Sequence, residues 1–120
     1  MWYKNPCKPH GLLTLWKKDR FRLVEDKRID YATEAQKYKE TFGKDQMFRL
    51  QTGQNLLHMF IFEDLAFKDK PRKICVTNTH LFWNPNFDDV KFFQMVIHWM
   101  AVAEFAGCHD ANMDEEECED

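Results

Sequence analysis

The sequence predicts an α/β chain in which a mainly antiparallel sheet carries one long helix. Three stretches make that prediction. Lys73 to Leu81, "KICVTNTHL", alternates between two faces and is rich in β-branched residues. "NLLHMFIFEDL", from Asn55, is a continuous apolar run of the kind a central strand shows when both its faces are covered. From Asp88 or Asp89 to about Ala106, apolar residues dominate around a polar stripe of Lys91, Gln94, His98 and Glu104, which is close to helical spacing.

Taken in order, the elements assemble as follows. "GLLTLWK", Gly11 to Lys17, reads as a strand entered from the Pro9-His10 turn, and "FRLVEDKRIDY" as a second strand after the polar "KDR". The two are expected to pair as a hairpin, with Phe21, Leu23 and Ile29 inward and Arg22 and Lys27 outward. Thr33 to Gln46 is polar and predicts a short surface helix, with Thr33 at its start and Gly43 as a stop. The apolar run from Asn55 follows as the central strand, where His58 reads as a hydrogen-bonded strand residue. A charged hairpin turn around Pro71 leads to the strand at Lys73, which places Ile74, Val76, Asn78 and His80 on one face. The long helix, capped by Asp88 or Asp89, is expected to be buried along most of its circumference and to stop at Gly107.

The 120 residues fit at most one domain, and a hydrophobic fraction of 44% supplies material for a core. The formal net charge of −3 hides a division, because the last eleven residues hold seven acids and no Lys or Arg. The remaining body carries 17 Lys/Arg against 13 acids, a mildly basic balance that suits a phosphate-bearing partner and equally suits ordinary surface lysines. Residues 1–108 are expected to form the folded part and residues 109–120 a disordered acidic tail. Four cysteines without CxxC spacing argue against a zinc site. A polar amino terminus without an apolar core segment predicts no signal peptide, and no stretch is apolar enough for a membrane span. An intracellular, most simply cytoplasmic, protein with reduced thiols is the expectation. P-loop, GxGxxG and nucleophile-elbow patterns are missing from the sequence.

Chemistry concentrates in "NTHLFWNPNFDDVKFFQ", Asn78 to Gln94. A histidine at the end of a buried strand is held rigidly while its ring reaches the sheet rim, where it can hydrogen-bond a phosphate or move a proton. Asn78 lies two residues earlier on the same face, and Phe82, Trp83 and Pro85 offer flat apolar surfaces for a base. A polar strand end beside a loop proline would show the same residues without any such role.

"NTHLFWNP" followed by "DDVKFFQ" resembles the endonuclease/exonuclease/phosphatase superfamily, in the branch that holds Ccr4-type deadenylases, nocturnin, the Angel proteins and the Ngl-type RNA exonucleases. "KPHGLLTLWKKDRFRLVE" is similar to that branch's basic hairpin, and "TGQNLLHMFIFE" to the strand after it; together the matches span about residues 3–106. The resemblance implies a four-layer α/β sandwich, two packed sheets with outer helices, of which this chain would be the middle portion. It implies Mg²⁺-assisted hydrolysis of RNA from a 3′ end, as in removal of poly(A). It assigns His80 as a catalytic histidine that donates a hydrogen bond to the scissile phosphate. Asn55, Asn78, Trp83 and Pro85 would be substrate-binding: Pro85 and Trp83 at the terminal base, Asn78 supporting His80, Asn55 at the rim.

Departures from the pattern shape the expectation. The acidic metal-ligand segments of that branch, including its G-D-F-N and S-D-H motifs, are not found in this sequence, so no metal ligand is assigned. His58 stands at a usually apolar position, and His10 where relatives often carry an acid. The chain is therefore expected to be inactive by itself and to leave one sheet face open. A non-catalytic RNA- or protein-binding remnant is the alternative. The sphingomyelinase and inositol-phosphatase branches share the Thr-His-Leu strand end but not Trp83, Pro85 and the D-V-K-x-x-Q helix.

Overall fold

A computed structural model of the chain describes the backbone of residues 1–117 and the side chains of residues 1–108. The expected tail at 109–120 therefore falls in part, at residues 118–120, outside the described residues. Two antiparallel sheets and three helices make up the described chain. Strands β1 (Trp2–Lys4) and β2 (Gly11–Leu13) pair as a small hairpin, with Trp2 opposite Leu13 and Lys4 opposite Gly11. Gly11 is required there, since a Cβ would stand 2.3 Å from the Tyr3 carbonyl oxygen.

The larger sheet has the order β3-β4-β5, from β3 (Phe21–Asp30), β4 (Leu56–Asp64) and β5 (Arg72–Thr79). The apolar β4 is central, as its composition predicts, and eight of its nine residues are buried. Register puts Leu57 opposite Thr79 and Ile29, and Asp64 opposite Arg72 and Phe21. A bulge between Leu23 and Glu25 switches which residues of β3 share a face. Phe21 and Leu23 consequently lie with Phe62, while Ile29 lies with Leu57 on the opposite side.

The hairpin expected between Gly11–Lys17 and β3 does not form. β2 pairs with β1 instead, and β3 pairs with β4. Only Gly11–Leu13 is strand; the rest of "GLLTLWK" crosses the sheet, laying Trp16 against Phe60 and Phe62. The polar stretch after β3 is also built differently. Asp30, not Thr33, caps α1 (Tyr31–Ala35) by accepting from the Ala32 amide, and a 3₁₀ turn follows at Gln36–Tyr38. Gly43 starts α2 (Lys44–Gly53) rather than ending a helix. These helices are not surface additions, because Tyr31, Ala35, Met47 and Leu50 are core residues.

Helix α3 (Asp88–Glu117) follows a 3₁₀ turn at Pro85–Phe87 and continues through Gly107, where a stop was expected. The core lies between α1, α2 and α3 and one face of the large sheet, where Leu57, Met59 and Ile61 meet Val90, Ile97 and Phe105. Gln94, expected on a polar outer stripe, is fully buried against that sheet. Phe92, Trp99 and Met100 are instead exposed, at 63%, 65% and 47%, so α3 is not buried around most of its circumference.

Candidate functional site

The segment Asn78 to Gln94 is tied to the start of β4 by a chain of amide hydrogen bonds. Asn55, the residue before β4, is buried, and its Nδ2 donates to the His80 carbonyl at 2.8 Å. Its Oδ1 accepts from Gln94 Nε2 at 3.0 Å, and Gln94 Oε1 accepts from the Phe82 amide at 2.8 Å. Both ends of each amide are thus used, which satisfies two polar groups that burial would otherwise penalise. Gly53 leaves space for this pair, as a Cβ there would lie 3.0 Å from Asn55 Oδ1. Gln54, in the left-handed region at φ 51°, turns the chain from α2 into Asn55.

The strand end is pinned again one residue earlier. Thr79 Oγ1 donates to the Leu56 carbonyl at 2.8 Å, which spends its proton, so the buried Tyr31 hydroxyl donates to Thr79 at 2.9 Å. Burial pushes the Tyr31 phenol up to about 12, the Thr79 hydrogen bond pulling the other way. The outcome is a rigid base beneath an exposed His80.

Each predicted site residue has a definite place. His80 is exposed just beyond β5, and its ring lies 5.6 Å, centroid to centroid, from that of His10. Trp83 is 75% exposed and Pro85 is exposed at the start of its 3₁₀ turn, which Asn84 caps by accepting from the Asn86 amide. Asn78 sits on the opposite sheet face from Thr79 and donates through Nδ2 to the Leu13 carbonyl and Thr14 Oγ1, both at 3.1 Å. It fastens the β1–β2 hairpin, and hence the His10 loop, to the large sheet. Asn55 is committed to the loop backbone and Gln94. The structure brings His80 together with Asn55 and His10 around one cleft, while Trp83 and Pro85 are exposed further along the same loop and Asn78 is engaged with the hairpin.

Among the described residues, Arg49 stands by the Pro85–Phe87 turn, over the Phe87 ring and paired with Asp89, while two other arginines lie far from His80. Arg20 pairs with Asp64 at 2.7 Å and Arg22 with Glu63, at the end of β4 remote from His80. Seven residues of strand separate the two ends, roughly 23 Å. Arg20 holds the Asp64 carboxyl below its usual range, aided by the Ala66 amide. Nearer the site, Lys8 donates to the Gly53 carbonyl at 3.0 Å. Sequence reading missed the latch role of Gln94, which it placed on a polar stripe with Lys91, His98 and Glu104. It also missed the approach of His10, which lies 70 residues from His80 in the chain.

His58 lies fully buried on the hairpin side of the sheet, hydrogen-bonded through Nε2 to Asp26 at 2.7 Å, with Tyr3 edge-on at 5.5 Å. Its Nδ1 and that of His98 are buried without partners among the described residues. Both imidazoles titrate below the usual range because burial disfavours the cation; for His58 the Asp26 hydrogen bond partly opposes this.

The Mg²⁺ implied by the resemblance finds no fit here. Among the described residues, no group of three or more His, Cys, Asp or Glu side chains is arranged to hold a metal ion. No helix among them is long and apolar enough to cross a membrane.

No protein-family model matches the chain. Curated relatives do. It is 35% identical over 95 residues to a probable CCR4-Not complex 3′-5′-exoribonuclease subunit Ccr4 of Enterocytozoon bieneusi, covering 78% of this chain and 19% of that protein. It is 36% identical over 93 residues to the Ccr4 subunit of Candida albicans, covering 75% and 11% respectively. To the probable Ccr4 of Vairimorpha ceranae it is 29% identical over 100 residues, covering 82% and 20%. The chain spans only 11–20% of the length of these relatives. Over most of its own length, therefore, the chain is homologous to a segment of the Ccr4-type 3′-5′-exoribonuclease subunits.

Proposed function

We propose that this chain is the substrate-side portion of a Ccr4-type 3′-5′ exoribonuclease and binds the 3′ end of RNA, such as poly(A), at the rim formed by His80, Trp83 and Pro85. The observation that carries the reading is an exposed imidazole and an exposed indole on one short loop. Its backbone is fixed by Asn55 and Gln94 in a segment homologous to Ccr4 subunits. An imidazole N–H at His80 donates to a phosphate oxygen, and Trp83 with Pro85 supplies a face on which a base stacks. Asn55 and Asn78 act as positioning residues, one through the His80 carbonyl and the other through the hairpin that bears His10. Hydrolysis in the family resembled needs Mg²⁺, and no step through that ion is assigned to the residues described here.

The complete domain, on this reading, is a four-layer sandwich in which the hairpin-side face of β3-β4-β5 meets a second sheet. An intracellular, cytoplasmic place follows from the same relation. Titrating a 5′-labelled oligo(A) against the chain, followed by anisotropy at several salt concentrations, tests the binding claim. Trp83→Ala should cost about 1–3 kcal/mol, the worth of one stacked base. His80→Ala should weaken binding and flatten the salt dependence, because a phosphate contact is lost. Equal affinity of wild type and both variants would sink the proposal. Charge reversal at Lys17 and Lys18, remote from the rim, should change affinity less than His80→Ala does.

A further inference from the structure

Two imidazoles from distant parts of the chain meet over one cleft. His10 precedes β2 and His80 follows β5, and their rings stand 5.6 Å apart, tilted by 46°. Each backbone is pinned: the His10 carbonyl accepts from the Asn5 amide at 2.9 Å, and the His80 carbonyl from Asn55 at 2.8 Å. Neither ring has a hydrogen-bond partner among the described residues. The cleft between them, lined by Asn5, Gln54 and Asn55, measures about 10 Å³. That is room for one water-sized sphere and too little for a phosphate group.

We propose that His10 and His80 together bind a single borderline transition-metal cation of the Zn²⁺, Ni²⁺ or Cu²⁺ class. An imidazole nitrogen lies about 2.0–2.1 Å from such an ion, which puts each ring centroid about 3.2 Å from it. Two rings on one tetrahedral ion then have centroids about 5.2 Å apart, close to the spacing observed. The remaining positions fall to water. Two of the neighbouring side-chain amides are engaged elsewhere: Asn5 donates to the Gln54 carbonyl and accepts from the Cys7 amide, while Asn55 serves His80 and Gln94. Nitrogen ligands select against Mg²⁺, a hard ion that prefers oxygen. The site is therefore chemically distinct from one for Mg²⁺, and it stands whether or not RNA binds at the rim. An ion held there takes up a nitrogen of His80 and clips the hairpin loop to the end of β5.

Ni²⁺ is the probe, added to the full chain with its thiols alkylated and His109 replaced by Ala. Histidine-ring resonances are followed by NMR, and affinity by calorimetry. The His10 and His80 rings should broaden together at low Ni²⁺, ahead of His58 and His98, and Mg²⁺ at the same concentration should do neither. His10→Ala and His80→Ala should each weaken Ni²⁺ binding at least tenfold. Broadening of only one of the two rings overturns the proposal, as does Ni²⁺ affinity within twofold of wild type in both variants. The ring resonances of the chain with both histidines report on the site even if a variant fails to fold.

Discussion

Asn55 carries the site in a way that its identity alone does not disclose. The resemblance places it at the rim, but the fold buries it with both amide ends engaged, one on the His80 carbonyl and one on Gln94. Asn55→Ala would leave Gln94 Nε2 without its acceptor in the core, where an orphaned polar group costs about 1–3 kcal/mol. Urea unfolding should show a loss of that size, and amide exchange at His80 and Leu81 should quicken beyond the global change. A second expectation concerns protons. The pKa values of His58 and His98 are lowered in the fold, so the unfolded chain binds protons first as pH falls. Their contribution is present above the unfolded histidine value of about 6.5 and is lost as pH drops through and below it. The urea midpoint should therefore fall between pH 7.5 and 5.5, and a His58→Gln, His98→Gln variant should show a shallower slope over that interval. Asp64, whose pKa is also lowered, acts in a separate window below about pH 4. None of these partners is visible from spacing, because Asp26 reaches His58 across a strand pair and Thr77 reaches His98 across a layer.

At the scale of elements, the strands with the clearest patterns were the legible ones. β4 is apolar throughout and central; β5 alternates and presents Asn78 and Thr79 to opposite faces, as read. Pairing was legible only across the charged turn at Pro71, where β4 and β5 do pair antiparallel. Gly11–Leu13 and β3 are sequence neighbours, and proximity suggested a hairpin, yet three residues near the amino terminus complete β2 while β4 claims β3. Nothing local encodes that choice, since it depends on burying Ile29 beside Leu57. Helix α3 misled for a related reason. Polar residues mark a solvent face only where the core offers them no partner, and here Asn55 and Thr77 offer partners to Gln94 and His98. Its two faces can be separated by substitution. Ile97 is fully buried, so Ile97→Ala should cost about 2–5 kcal/mol. Trp99 is 65% exposed, so Trp99→Glu should stay within about 0.5 kcal/mol. Chemical denaturation of the two variants would check the assignment, and the reverse order would mean that α3 is rotated from the orientation described.

Across the whole molecule the large sheet is treated unequally on its two sides. One face is sealed by three helices. The other is covered at one end by the β1–β2 hairpin, through Tyr3 on His58, and among the described residues is left open at the other. There Leu15, Trp16, Phe21, Phe62, Ile74 and Val76 line an apolar groove of about 390 Å³. The sequence reading anticipated an open apolar face from the sandwich that the resemblance implies, but not which residues would crowd over it. Trp16 tilts onto Phe60 and Phe62 at 6.2 and 5.1 Å, while Leu15 remains 78% exposed and Ile74 and Val76 remain over one-third exposed. Apolar surface left in water carries a free-energy penalty of about 25 cal/mol per Å² relative to its burial. An amphiphilic dye that removes this surface from water should therefore bind the folded chain. The expected result is enhanced ANS fluorescence at neutral pH and without denaturant, reduced in a Val76→Lys variant that places a charge in the groove. Val76 is already partly solvated, so the same substitution should cost far less stability than Ile97→Ala. A folded chain with no ANS enhancement would mean that Trp16 and its neighbours close the groove in solution.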